Sequence, residues 1–309
     1  MKKRIVFLAF LFLAGFGIAA SSAGNSQAQA QAQPASKSAP QAAPMTLVPL
    51  TDGLYMVKGG SGANGGLFIG KKEVLVIDAK MTVESTKVQL AEIAKLTANP
   101  VTMIILTHSD GDHVNGLPGF PRGLAIYAHE NTKKEMEEAF KDPKMANLLP
   151  YLPNKTFDLI ARAIVFDDEP VLLYYFGPAH TSGNIVVWFP LKKVAFIGDL
   201  AFTGRDPLIH RQKGGTSFGY ARTLKAMIDL NAETYIGGHS DPLKKADLLA
   251  LLTSIEEKQA KVKALMDEGK TLEEIKKAFG IEEPPAQPGR PRRPGFIEVI
   301  YLDIKENRR

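Results

Sequence analysis

The polar stretch around which the chain is organised reads Thr107-His108-Ser109-Asp110-Gly111-Asp112-His113-Val114-Asn115-Gly116. It directly follows the apolar, largely β-branched run 101–106, which predicts a buried strand. Four of its side chains are imidazoles or carboxylates, the usual ligands of divalent metals when no thiolate is present. The stretch therefore predicts a metal site at the end of a strand. The alternative is a polar loop whose aspartates cap the next helix.

The N-terminus has the pattern of a secretory signal peptide over residues 1–23. A basic start at 2–4 precedes the apolar run 5–20, and Ser21-Ser22-Ala23 offers small residues for cleavage. The apolar run is shorter than the roughly 20 residues of a membrane span. We therefore expect a periplasmic or secreted protein with no stable membrane span after processing. An uncleaved N-terminal anchor is the alternative.

Composition excludes several classes of function. The chain has no cysteine, so neither a disulfide nor a thiolate ligand is available. Removing the three basic residues of the start lowers the formal net charge from +5 to +2. The remaining Lys and Arg residues are scattered along predicted helices without an aromatic platform, which argues against a nucleic-acid partner.

Predicted strands and helices alternate along the chain, which indicates an α/β protein. Residues 24–45 are rich in Gln, Ala, Ser and Pro and predict a disordered linker. A metal-binding domain is expected over 46–255. Residues 256–309 are expected to form a C-terminal helical extension with a proline-rich segment, 282–295, and a final strand over 296–304.

Three further polar residues follow apolar runs later in the chain. His180, Asp199 and His239 each follow a predicted strand, and Asp78 closes an earlier one. The chain has only six histidines, so four of them belong to this set. For His129 a packing or surface role is expected, and His210 is a secondary candidate for substrate contact.

These ordered motifs resemble the metallo-β-lactamase fold superfamily, which includes glyoxalase II-like and other hydrolases. Its signature is His-x-His-x-Asp-His followed by a His, an Asp or Cys, and a final His, each at a strand end. The matching residues of this chain are His108, Asp112, His113, His180, Asp199 and His239. The resemblance covers about 46–255 and implies an αββα sandwich of two mixed sheets with a metal site at one edge.

The resemblance also implies two divalent ions. The first site would comprise His108, Asp110 and His180. The second would comprise Asp112, His113 and His239. Asp199 would bridge the two ions, Asp78 would support the ligands from behind, and Asp112 would act in catalysis by orienting the nucleophile.

Asp110 stands where the signature has its second His. A carboxylate can also bind a metal ion, but it adds a negative charge to the site. Two divalent ions, three carboxylates and a hydroxide would be neutral together, whereas an imidazole at 110 would leave a net positive charge. We expect weaker Lewis acids as a result, and a preference moved from zinc somewhat toward Mn or Fe.

The predicted function is an exported metal-dependent hydrolase that uses metal-bound hydroxide on an ester, thioester, lactone or amide of a small molecule. One alternative is a β-lactamase. Another is an iron-dependent enzyme similar to persulfide dioxygenases, with His108, His180 and Asp199 as ligands. A third is a non-catalytic metal-binding or relay protein. The substrate-binding residues and the oligomeric state are not predicted.

Overall fold

The structure is a computed structural model that describes residues 44–282 and 292–308. The predicted signal peptide and nearly all of the predicted linker lie outside these residues, as does most of the proline-rich segment. Within the described residues, no helix combines the length and apolar content that crossing a bilayer requires.

Seven strands form the first sheet, in the order of the sequence. They are β1 Met45–Thr51, β2 Leu54–Gly59, β3 Gly65–Ile69, β4 Val74–Ile77, β5 Val101–Ile105, β6 Ala125–His129 and β7 Lys155–Phe157. Strands β1 to β4 are antiparallel, and β4 to β7 run parallel. The parallel pairing of β4 with β5 brings the residues after both strands to one sheet edge.

Five strands form the second sheet, in the order β12-β11-β10-β9-β8. They are β8 Ala161–Phe166, β9 Glu169–Tyr174, β10 Val186–Phe189, β11 Val194–Gly198 and β12 Thr234–Gly237. All neighbours are antiparallel except β11 and β12. The parallel pair again delivers two chain segments, those following β11 and β12, to one edge.

The two sheets face each other across an aromatic and aliphatic core. The ring of Phe68 on β3 lies 5.7 Å from that of Phe189 on β10, centroid to centroid. Phe189 in turn lies 6.0 Å from Phe196 on β11. Such tilted contacts between large buried side chains stabilise the sandwich beyond the area they bury.

Helices cover the outer face of each sheet. They are α1 Val83–Ala94, α2 Gly111–Val114, α3 Glu130–Ala139, α4 Ser217–Asp229, α5 Lys245–Asp267, α6 Leu272–Ala278 and α7 Phe296–Lys305. Ile93 of α1 and Met136 of α3 pack in the cluster outside the first sheet. Leu224 of α4, Ile255 of α5 and Ile300 of α7 pack outside the second. The αββα sandwich expected from the resemblance is confirmed.

The final strand predicted over 296–304 is wrong, because this segment forms α7. Its buried residues are Phe296, Ile297, Val299, Ile300 and Asp303. Their spacing of one, three, four and seven follows one face of a helix rather than the alternation of a strand. A boundary at residue 255 would moreover fall inside α5, and Val262 beyond it packs in the same apolar cluster as Leu224.

Candidate metal centre

The ligand stretch passes from β5 into the short helix α2. Asp110 takes the N-cap position in extended conformation (φ −71°, ψ 144°), and its carbonyl accepts from the backbone N–H of Val114. Its side chain makes no capping hydrogen bond. The carboxylate is thereby free to turn toward the other ligand candidates.

Asp110 faces three imidazoles and one ammonium group. Its Oδ2 lies 3.1 Å from His180 Nε2, 3.8 Å from His108 Nε2 and 2.8 Å from His210 Nε2. Its Oδ1 lies 2.6 Å from Lys213 Nζ. The alternative role for the aspartates, capping the following helix, does not hold for Asp110.

The side-chain nitrogen and oxygen atoms that the predicted ligands offer, one from each residue, form two groups. In each group, all of these atoms lie within 4.8 Å of one another. The first group is His108, Asp110, His180 and Asp199. The second is Asp112, His113 and His239. Asp199 lies between them, since its Oδ1 is 3.2 Å from His113 Nε2 and its Oδ2 is 3.3 Å from His239 Nε2 and 3.8 Å from His180 Nε2.

Hydrogen bonds behind three imidazoles set their orientation. His113 Nδ1 donates to Asp78 Oδ2 at 2.7 Å, and His180 Nδ1 donates to the carbonyl of Leu208 at 2.7 Å. The Thr107 hydroxyl donates to Asp78 at 2.8 Å, so its oxygen is left to accept from His108 Nδ1 at 3.0 Å. In each ring Nε2 then points inward, as metal binding requires.

Asp78 is therefore placed behind the ligands, next to β5. Besides His113 it accepts from both the backbone N–H and the hydroxyl of Thr107, each at 2.8 Å. Its backbone is in the left-handed region, at φ 60°. A non-glycine residue in this region carries strain, and the three hydrogen bonds offset it.

Several buried polar atoms at the centre make no hydrogen bond within the described residues. They are His108 Nε2, His113 Nε2 and Asp199 Oδ1, the last two of which face each other at 3.2 Å as an ion pair. Buried polar atoms nearly always make hydrogen bonds, so three such atoms converging on one place indicate a missing binding partner. Nitrogen and oxygen donors in this number fit divalent metal ions.

Gly238 allows the second sheet to approach the centre closely. A Cβ on this residue would lie 2.4 Å from Asp199 Oδ1 and 2.8 Å from His113 Cε1. The backbone N–H of Gly238 donates to the carbonyl of Gly198 at 2.9 Å, which keeps β11 and β12 in register here. A larger side chain would displace a ligand candidate.

The pKa values of the two adjacent imidazoles are driven apart in the metal-free protein. Burial and the neighbouring His113 hold the pKa of His108 well below its ordinary value. Burial also disfavours charge on His113, but Asp78 and Asp199 outweigh it and raise the pKa well above the ordinary value. Hydrogen bonds that His239 donates to Asp112 and Asp199 raise its pKa to about 9.

The carboxylates of the centre stay ionised. Burial alone would raise the pKa of Asp110, but hydrogen bonds from His180 and His210 bring it well below the usual range. The pKa of Asp199 is lowered in the same way, chiefly by His113, and that of Asp112 chiefly by the hydrogen bond from His239. Negative charge is thus available for cations at neutral pH.

Comparison with known proteins identifies the family. The family model described as the metallo-beta-lactamase superfamily matches residues 59–239. The chain belongs to the metallo-beta-lactamase superfamily. It is accordingly a hydrolase of that superfamily, and its cluster of metal-competent residues lies where the motifs predicted it.

Relatives of this metallo-beta-lactamase superfamily member are known by sequence and by structure. A curated protein from Elizabethkingia meningoseptica, "Metallo-beta-lactamase type 2", is 29% identical over 209 residues, 65% of this chain and 78% of the relative. Two solved structures share the fold. The crystal structure of VMB-1 at pH 5.5 has a TM-score of 0.56 and 21% identity, covering 69% of this chain and 97% of VMB-1. A metallo-beta-lactamase from Pontibacter korlensis has a TM-score of 0.57 and 18% identity, covering 68% and 99%.

The two remaining histidines lie in different places. His129 caps α3, accepting from the backbone N–H of Asn131, and its ring stacks on that of Tyr175 at 3.7 Å, which agrees with the expected packing role. His210 is more central than sequence reasoning placed it. It contacts Asp110 directly and lines the open cavity over the centre.

That cavity has a volume of about 710 Å³ and carries three cationic residues that the sequence did not single out. They are Arg205, Lys213 and Arg293. None lies in a recognisable motif. Arg293 in particular comes from the proline-rich segment near the C-terminus, far from the matched region, and no local pattern could have assigned it.

Proposed function

We propose that this superfamily member is an exported hydrolase that works with two divalent ions, zinc before Mn or Fe. His108, Asp110 and His180 would hold one ion, Asp112, His113 and His239 the other, and Asp199 would lie between them. The observation that carries the proposal is the set of buried His108, His113 and Asp199 atoms that make no hydrogen bond within the described part of the chain and converge beneath an open cavity.

Bound ions would supply Lewis acidity, which lowers the pKa of water toward about 7 and polarises a scissile carbonyl oxygen. The protein's own groups provide the rest. Asp112 is ionised and its side chain is partly open to the cavity. Its carboxylate can accept a hydrogen bond from the attacking water and take up the proton. His239 Nε2 lies 3.0 Å from Asp112 Oδ2, which places these two ligand candidates side by side for the same ion.

The cationic lining supports an anionic small molecule as substrate, with an ester, thioester, lactone or amide as the bond cleaved. Among the described residues, neither Arg205 nor Arg293 forms an ion pair with an acidic side chain. The Arg205 guanidinium lies 4.1 Å from the centre of the Phe202 ring, which stacks on His239 at 5.9 Å. A carboxylate or phosphate on the substrate would pair with these guanidinium groups.

Elemental analysis of the mature protein, followed by hydrolysis assays, tests the proposal. We expect two ions per chain, loss of turnover on chelation and recovery with zinc. Each ester, thioester, lactone and amide is assayed in a carboxylated and an uncarboxylated form, and the carboxylated form should be preferred. Asp112→Asn should lower kcat by about 100-fold or more. Two bound ions without turnover of any substrate would favour the non-catalytic relay protein instead.

A β-lactamase is the second candidate, supported by the Elizabethkingia relative and by the cationic cavity. β-Lactams are cyclic amides that usually carry a carboxylate, which Arg205 or Arg293 would pair with. Hydrolysis of a chromogenic cephalosporin by the zinc-loaded protein tests it. Turnover of esters or thioesters with no cephalosporin cleavage would exclude this candidate.

Export is proposed from the N-terminal pattern alone. Intact-mass measurement of protein recovered from outside the cytoplasm should give a chain that begins near residue 24. Full-length protein that retains Met1 in the membrane fraction would contradict it.

A further inference from the structure

Asp110 is linked by polar contacts to a turn that lies far away in the sequence. The Lys213 ammonium donates to Asp110 Oδ1 at 2.6 Å and to the Ser109 hydroxyl at 2.8 Å. The two side chains of the ion pair are only 24% and 13% exposed. At this depth solvent screens the pair less than it would at the surface.

The same turn holds the second oxygen of Asp110. His210 Nε2 lies 2.8 Å from Oδ2, and the backbone N–H of His210 donates to the carbonyl of His180 at 2.8 Å. Both carboxylate oxygens thus contact residues of one short segment, the 3-10 turn Arg211–Lys213 and the residue before it.

Helix α7 fastens this turn. Arg211 Nε donates to Asp303 Oδ1 at 3.2 Å, and its Nη2 donates to Glu306 Oε2 at 2.5 Å. Asp303 is fully buried and also accepts from the backbone N–H and hydroxyl of Ser217, at 2.7 and 2.9 Å. Arg308 donates to the carbonyls of Gly214 and Gly215. A continuous chain of contacts therefore runs from α7 to the Asp110 carboxylate.

The physical need for such a chain follows from the chemistry of residue 110. An imidazole ligand is oriented by a hydrogen bond to its second nitrogen, as Asp78 orients His113. A carboxylate has two equivalent oxygens and rotates easily about its terminal torsion. The Lys213 ammonium fixes Oδ1, so Oδ2, which faces His180 and His108 as well as His210, is left to bind the metal. The ammonium also offsets the added negative charge.

We infer that Lys213 is a positioning residue for Asp110, and that α7 holds Lys213 in place through Arg211. The inference depends on the proposed metal centre. Lys213 would orient the Asp110 carboxylate as Asp78 orients the His113 ring. It would thereby allow a carboxylate to serve as a metal ligand at a position where the family signature has His.

Zinc titration against a competing chromophoric chelator tests this on the full mature chain. In Lys213→Met the binding step that fills the site with Asp110 should lose about 10–100-fold in affinity, the usual cost of losing such a partner. The other step should be unchanged, and Lys213→Arg should retain most of the affinity. Lys134→Met is the matched control, because Lys134 lines the neighbouring cavity with Lys213 but pairs with Glu130 instead.

A double-mutant cycle separates positioning from general charge. In an Asp110→Ala background, Lys213→Met should not weaken zinc binding further. Arg211→Gln should weaken the same zinc-binding step as Lys213→Met. The double variant Arg211→Gln/Lys213→Met should bind zinc as Lys213→Met alone does. Zinc affinity in Lys213→Met equal to or above wild type would overturn the inference, since pure charge removal favours cation binding. A wild type that binds no second ion would instead overturn the proposed centre.

Discussion

At the scale of single residues, the ligand candidates were predictable because their signals are local. His108, Asp112 and His113 follow an apolar run. A strand followed by glycines can be recognised from the local sequence alone. Lys213 was not predictable, because its position beside Asp110 depends on a turn fastened by α7. Sequence alone showed the carboxylate at 110 but not the cation that accompanies it.

Asp78 is the residue whose support of the ligands can be tested most directly. It makes three hydrogen bonds, one to His113 and two to Thr107. We expect Asp78→Ala to weaken zinc binding by about 10–100-fold, because the His113 ring loses its orienting acceptor. Asp78→Asn should be milder, since an amide oxygen still accepts from His113. Zinc titration of both variants measures the effect. Wild-type zinc affinity in Asp78→Ala would show that Asp78 does not support the metal ligands.

At the scale of elements, the alternation of strands and helices was predicted, but the helical state of α7 was not. Its sequence, Phe296-Ile297-Glu298-Val299-Ile300-Tyr301, is aromatic and β-branched, which favours a strand by composition. Burial on one helical face overrides that preference, since Ile297 and Ile300 pack against α4 and α5. Propensity is a weak signal where tertiary packing decides.

Helix α7 should accordingly be part of the folded core. Ile300 is fully buried. Ile300→Ala should lower the free energy of unfolding by about 2–5 kcal/mol through lost contacts and a cavity. Val165→Ala, at a side chain 74% exposed on β8, should change it by about 0.5 kcal/mol or less. Urea denaturation of both metal-free variants measures this. Equal stability in the two would mean that α7 is a dispensable tail.

At the scale of the whole molecule, two sheets bring together segments that are distant in sequence. The parallel pairs β4–β5 and β11–β12 deliver Asp78, His108, Asp199 and His239 to one edge of the sandwich. The order of the motifs indicated this arrangement, because the resemblance supplied the fold. The resemblance did not predict the pKa shifts of these side chains, since the shifts depend on distances between the two sheets.

Those distances couple metal binding to protons. In the metal-free protein the pKa of His239 is raised to about 9 by Asp112 and Asp199, and that of His113 is raised by Asp78 and Asp199 against its burial. With a pKa of about 9, His239 carries an additional proton at pH 7, and a metal ion has to displace it. Apparent zinc affinity should therefore rise with pH up to at least about 9, with a proton released on binding at pH 7.

The same pKa shift sets the stability of the metal-free fold. A raised folded pKa means that the protonated His239 contributes stability fully below the unfolded value of about 6.5. That contribution is lost as pH rises through about 9. The melting temperature of the metal-free protein should therefore fall between about pH 6.5 and pH 9. In the zinc-loaded protein His239 is already deprotonated, so its melting temperature should not show this fall. Asp112→Asn removes the negative charge that accepts a hydrogen bond from His239, and it should therefore narrow the pH range over which the stability falls. A metal-free protein equally stable at pH 6.5 and pH 9 would contradict the assignment of His239 to an ion pair with Asp112 and Asp199.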